Sequence, residues 1–220
     1  MLVQLYGTTT VEDARAVDAL GPDHLGIVPD EGYETWDAVD RDTARAIAAA
    51  LTTAKLVLAS LHSHAEGVLE TVRANRPAIV HLARAADMDD ALLERIRIEA
   101  APVEVMATVP VLDASSVGLA TRLARYADYL LLDSKDLKTG AVGATGLVHD
   151  WSISANIVQA VDVPVILAGG LGPDNVAAAI ERVRPAGVDS ETHTSRLDDR
   201  RRKDLVRVEA FIAAARAAAR

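Results

Sequence analysis

The sequence predicts an α/β protein, a single-domain (β/α)8 TIM barrel spanning residues 1–220. Three observations predict it. Short apolar runs alternate with helical stretches at a spacing of roughly 25 residues, which is one β/α unit and not a solenoid repeat. The clearest runs, residues 129–132 and 163–167, are unbroken and not alternating, as strands covered on both faces are. Each run closes in polar or small residues, among them Asp133, Gly169, Gly170 and Asp189, where such folds place their chemistry.

The units follow in order. Residues 2–6 form the first strand, broken at Gly7, and Thr8 to Thr10 lead into a helix over 11–20 with Glu12 and Asp13 in its first turn. That helix stops at Gly21-Pro22. Residues 24–28 are a strand, 29–37 an irregular loop and 42–51 an Ala-rich helix. The third strand, 55–61, runs into His62-Ser63-His64 and a helix over 65–74. Pro77 opens the fourth strand at 78–82, ahead of a helix over 89–98. The fifth unit is 104–109 with 113–126, capped from Asp113. Strand 129–132, a long loop over 133–150 and helix 151–161 make the sixth. The seventh is 164–167 with 174–183, and the eighth is 187–190 with the last helix at 203–219. Eight alternations with mostly short connections fit a closed barrel better than an open sheet.

Composition excludes several function classes. Hydrophobic residues make up 50% of the chain, yet no apolar run approaches membrane-spanning length, so no membrane association is expected. Residues 1–7, MLVQLYG, lack the basic start of a signal peptide and read as a strand, so a cytoplasmic location is expected. With no cysteine there is no disulfide framework, cysteine-held metal or thiol nucleophile. A net charge of −9 and 3% aromatic residues argue against nucleic acid as a partner. The expected partner is a small phosphorylated substrate, the expected state a monomer or homodimer, and no cofactor is expected.

Four stretches carry a resemblance: Asp128 to Ser134 (DYLLLDS), Thr145-Gly146-Leu147-Val148-His149-Asp150-Trp151, residues 166–176 (ILAGGLGPDNV), and Gly187-Val188-Asp189 followed by a Lys203-Asp204 helix start. They resemble phosphoribosylanthranilate isomerase, which converts an aldose-amine into a ketose-amine on a phosphorylated sugar in tryptophan synthesis. The resemblance is specific in the C-terminal third and an outline before it. It implies that Asp133 is the general acid. Independently, a carboxylate at the end of a buried strand can be desolvated and so protonated near neutral pH, or it can merely cap a loop. The resemblance also implies a phosphate site at Gly146, Gly169, Gly170 and Ser190 to Thr192. Glycines at 169, 170 and 172 let backbone amides approach an anion, and a helix begins near Asp174 or Asn175. The loop 135–146, with three glycines and two lysines, could cover a ligand.

Departures from the family pattern are equally specific. The family's base is a cysteine at the end of the first strand; here Gln4-Leu5-Tyr6-Gly7 stands there, and Tyr6, with an ordinary pKa of about 10, is a poor base unless perturbed. The family's arginine after the second strand has no match in residues 30–39, where acids dominate and would disfavour an anionic aromatic ring. Asp189, which faces that ring in the family, is kept. Glu191 replaces a small residue and would repel a phosphate dianion, whereas Thr192 or His193 could donate to one. Histidines gather near the expected mouth: His62, His64, His81, His149 and His193. The missing base is expected among His62, His64 and His193, ahead of Tyr6. No metal is expected, although His62, His64 or His81 with Asp133 would suit a metal-dependent phosphosugar epimerase, aldolase or lyase. A barrel that only binds a phosphorylated metabolite is the third reading.

Overall fold

In a computed structural model, described here for residues 1–33, 35–134 and 149–219, the strands close into a parallel barrel wrapped by eight helices. The strands are β1 (Leu2–Leu5), β2 (His24–Pro29), β3 (Ala38–Val39), β4 (Lys55–Ser60), β5 (Ile79–Leu82), β6 (Glu104–Val111), β7 (Tyr129–Ser134), β8 (Val165–Leu167) and β9 (Gly187–Ser190). All except β3 form the barrel, which closes through pairing of β1 with β2. The helices are α1 (Val11–Ala19), α2 (Arg41–Ala50), α3 (Ala65–Asn75), α4 (Asp90–Glu99), α5 (Ser115–Leu123), α6 (Trp151–Ala160), α7 (Val176–Val183) and α8 (Leu205–Ala218). Among the described residues no helix is long and apolar enough to cross a membrane.

Caps explain most helix starts. Thr10, Asp40, Asp89 and Asp204 each accept a backbone N–H from the first turn of the following helix. The segment expected to be loop around 29–37 ends in β3, which pairs in parallel with the last two residues of β2. That strand is invisible in the sequence because two residues carry no periodicity.

The period-two alternation of the strands divides the apolar residues into two cores. Val3, Leu5, Leu25, Leu56, Leu58, Val80, Leu82, Leu130, Leu132 and Val188 point outward and pack under the helices. Tyr6, Val57, Ala59, Ile79, Met106, Leu131, Ile166 and Ala168 point inward and fill the barrel. The same parity carries His81, two residues beyond Ile79, and Thr108, two beyond Met106, toward the axis. Asp133, two beyond Leu131, and Asp189, one beyond outward Val188, follow it too. These lie at the C-terminal ends of their strands, and the mouth of the barrel is therefore polar.

Candidate active site

Tyr6, the residue after β1, lays its ring over Gly26, so closely that a β-carbon there would come within 2.5 Å of the ring. Only glycine leaves room for it. The phenol is buried, and its hydroxyl lies 2.8 Å from His81 Nδ1, while His81 Nε2 lies 2.5 Å from Thr108 Oγ1. With the ring proton on Nε2, Tyr6 donates to His81 and His81 donates to Thr108. Burial holds the imidazole neutral, with its pKa pushed down to about 4. Burial also raises the Tyr6 pKa well above its ordinary value, helped by the negative charge of Asp189, Glu191 and Asp37.

Across the mouth, burial pushes Asp133 up to about 7, with the Ser134 N–H, 2.7 Å from Oδ1, offsetting part of that shift. Asp189 rises to about 8 through burial and the neighbouring charge of Asp133, while Gln4 and Lys203 pull the other way. Glu191 is raised well above the usual carboxylate range by burial and then by Asp37. Near neutral pH the mouth thus holds carboxyl groups that keep protons, opposite a neutral phenol–imidazole pair. Such an arrangement can donate and accept protons across a small substrate. A cavity of about 150 Å³ joins them, lined by Tyr6, Asp37, His81, Thr108, Asp133, Asp189 and Glu191 over walls of Val28, Ala59, Leu61 and Leu131.

Beyond β8 the chain turns at Gly169 and Gly170, whose φ angles of +84° and +64° lie in the left-handed region that favours glycine. Asn175 fixes the turn, accepting from the Gly172 N–H at 2.9 Å and donating to the Gly170 carbonyl at 3.0 Å. Ser190 donates to the Leu171 carbonyl at 2.7 Å, tying β9 to the same turn, and Thr192 opens a short 3-10 turn that includes His193. His193 packs against Gly172. His149 is neutral, its pKa pushed down to about 4 by burial, and bridges Ser134 and Ser154 at 3.1 and 2.7 Å.

Of the residues expected at the site, Tyr6, Asp133, Asp189 and Glu191 share one cavity; Gly169, Gly170, Ser190, Thr192 and His193 form the adjoining turn. Gly146 and the loop 135–148 lie outside the described residues. His62 and His64 are elsewhere. His64 caps α3 by accepting the Gly67 N–H at 3.1 Å, and His62 lines a separate cavity with Asp30, Glu31, Arg41 and Thr71. The reason is local: a side chain that caps a helix is turned away from the barrel axis. Among the described residues no three histidine or acidic groups gather closely enough to hold a metal ion, so the histidines and Asp133 do not make the ligand set considered above. Glu191 also differs from expectation. Its carboxyl reaches toward Gly7, two residues beyond the first strand, and so faces the cavity.

The sequence shows His81 as a strand residue but not as the partner of Tyr6. Its inward parity with Ile79 was the available signal. Thr108 carried the same signal from β6. Asp37 and Thr35 carried none, because their position depends on how the loop 29–39 folds back over the mouth.

Comparisons with known proteins agree with this architecture. The family model described as N-(5'-phosphoribosyl)anthranilate (PRA) isomerase matches residues 7–212. A protein of Haloferax volcanii described as N-(5'-phosphoribosyl)anthranilate isomerase is 37% identical, covering 98% of this chain and 93% of that protein. Its counterpart from Methanocella arvoryzae is 35% identical, covering 96% and 95%. The crystal structure of phosphoribosyl anthranilate isomerase from Thermotoga maritima superposes with a TM-score of 0.81 at 25% identity, covering 99% of each chain.

Proposed function

The chain belongs to the N-(5'-phosphoribosyl)anthranilate isomerase family, and from that premise we propose how its own residues run an Amadori rearrangement without the family's cysteine. The substrate is a 5-phosphoribosylamine. Its phosphate sits on the turn at Gly169–Gly170 and on Ser190 to Thr192, where positive φ angles and a polar 3-10 turn support anion binding. Asp133 protonates the ring oxygen, the ring opens, and a cationic imine forms at C1. The C2 proton then leaves to the Tyr6 oxygen while the Tyr6 proton passes to His81 Nδ1. Positive charge moves from the imine to the imidazole, so no net charge is created in the buried mouth. His81 returns its proton through Tyr6 to C1 of the resulting enolamine, the proton of the C2 hydroxyl passes to the Asp133 carboxylate, and the ketose forms with all three groups restored.

The observation that carries this reading is Asp133, a half-buried, desolvated carboxyl with its pKa raised to about 7, sharing a cavity with the Tyr6–His81 pair. We infer that residues 1–220 act as one domain, as a cytoplasmic monomer or homodimer. The test is an assay of purified protein on N-(5'-phosphoribosyl)anthranilate and on the matching phosphoribosylaniline. Turnover of either, lost in Asp133→Asn, is expected. Turnover of neither by folded protein would sink the reading.

A further inference from the structure

Both ring nitrogens of His81 end on hydroxyl groups: Nδ1 lies 2.8 Å from Tyr6 Oη, and Nε2 lies 2.5 Å from Thr108 Oγ1. A neutral imidazole carries one ring proton, so it donates at one nitrogen and accepts at the other, whereas a hydroxyl can do either. Two arrangements therefore fit the same distances. In one, Tyr6 donates to Nδ1 and the Nε2 proton goes to Thr108. In the other, Thr108 donates to Nε2 and the Nδ1 proton goes to Tyr6. Only the first leaves a lone pair on Nδ1 to take the phenol proton. The tautomer thus decides whether Tyr6 can act as a base at all.

Two physical arguments select the first arrangement. A phenol is a more acidic donor than an aliphatic alcohol, so Tyr6 is the better partner for the lone pair and Thr108 the better acceptor for the ring N–H. Once a second proton reaches the ring, both nitrogens must donate. A Thr108 oxygen that already accepts from Nε2 meets that demand without turning, while a Thr108 hydroxyl aimed at Nε2 would face a proton with its own. The strand holds the oxygen in place. Thr108 is a buried residue of β6, two positions nearer the mouth than Met106, which pairs with His81 in the sheet register. Its branched side chain is stiff about χ1. Among the described residues Oγ1 has no hydrogen-bond partner other than His81, so nothing there competes for its lone pairs. Thr108 also lines the cavity shared by Tyr6, His81 and Asp133.

We propose that Thr108 is a positioning residue for the isomerisation: its oxygen accepts the Nε2 proton, fixes His81 as the Nε2–H tautomer, and so makes Nδ1 the acceptor through which Tyr6 becomes the base. This rests on the isomerase reading above, in which the Tyr6–His81 pair removes the C2 proton. Thr108 acts through His81 and also supports the imidazolium that the transfer creates, as a hydrogen-bonded partner supports the histidine of a catalytic triad.

The test uses the full chain with Thr108→Val, which keeps the branched shape without the hydroxyl, and Thr108→Ser, which restores the hydroxyl. Nitrogen-15 NMR of the histidine rings, with His81 assigned by its loss in His81→Gln, is expected to show the Nε2–H tautomer in the wild type and its loss in Thr108→Val. On N-(5'-phosphoribosyl)anthranilate, kcat should fall about 50-fold in Thr108→Val with KM changed by less than about twofold, since proton transfer and not binding is affected. Thr108→Ser should recover most of that rate. A wild-type ring with its proton on Nδ1 would overturn the inference, as would an equal defect in Thr108→Ser, which would assign the loss to packing. Wild-type kcat in Thr108→Val beside an impaired Tyr6→Phe would overturn it and leave the isomerase reading standing. Unchanged turnover in both of those variants, or a folded wild-type chain with no turnover, would overturn the Tyr6–His81 base along with it.

Discussion

The two ends of the barrel treat carboxylates in opposite ways. At the N-terminal ends of the strands, acids are saturated with donors. Asp18 accepts from the backbone N–H groups of Thr52 at 2.8 Å and Ala54 at 2.7 Å, and from the hydroxyls of Thr52 and Thr53 at 2.6 and 2.8 Å. Asp23 and Asp128 repeat one device, each preceding its strand and accepting the N–H of a residue on the neighbouring strand, Val3 and Val105, both at 2.8 Å. At the opposite end Asp189 is buried and Asp133 and Glu191 are half-buried, all with few donors or none, and desolvation drives their pKa values up. The hydrogen bonds to Asp18 outweigh its burial and drive its pKa down. The same residue type thus holds one end together and leaves the other reactive, and what differs is the number of donors within reach.

The largest expected break in this contrast is Asp133→Asn. Loss of a general acid should lower kcat/KM by about 1,000-fold, measured by product fluorescence or absorbance. The same change should raise thermal stability at pH 8. The folded pKa of about 7 lies above the unfolded value, so the stability Asp133 contributes is complete below pH 4 and is lost as pH rises toward 7. A stability gain accompanied by inactivation would set the mouth apart from the opposite end. Tyr6→Phe comes next. It keeps the ring over Gly26 and removes the relay, with an expected fall in kcat/KM of about 100-fold and a modest change in melting temperature. Unchanged turnover would remove Tyr6 from the mechanism.

At the other end the sign reverses. Asp18→Asn should destabilise by about 2 kcal/mol by denaturant titration, since it strips a charged acceptor from several donors. Because its folded pKa is depressed, its contribution is complete above about pH 4 and fades as the pH falls below that. The smallest effect belongs to Asp128→Asn, about 1 kcal/mol, where one backbone N–H depends on the carboxylate and an amide oxygen can substitute. Neither substitution should alter kcat/KM, and a catalytic defect in either would blur the division.

Legibility in the sequence followed the same geography. Strands announce themselves by apolar runs, and their parity fixes which side chains enter the barrel, so Asp133 and Asp189 were readable from residues 128–134 and 187–190. Tyr6 was legible only as the residue that follows the first strand; its entry into the mouth depends on the close approach of its ring to Gly26 on the neighbouring strand, which the sequence does not show. What the sequence could not show depends on distant partners. Asp37 reaches the cavity because Arg200 and Arg201 clasp the loop around Trp36 from the other end of the chain. His62 and His64 misled because proximity to a strand end does not give direction. The cap that His64 makes on α3 and the packing of His62 against Gly67 turn both toward the helix.

The measurement that bears most directly on the central contrast is a carbon-13 NMR titration of the Asp133 carboxyl in the wild-type chain, assigned by its loss in Asp133→Asn. A midpoint near pH 7 is expected, with kcat/KM falling over the same range as the acid loses its proton. A midpoint near pH 4, the ordinary value for an exposed aspartate, would mean that the mouth does not hold its carboxyls protonated, and the account of the site would fail.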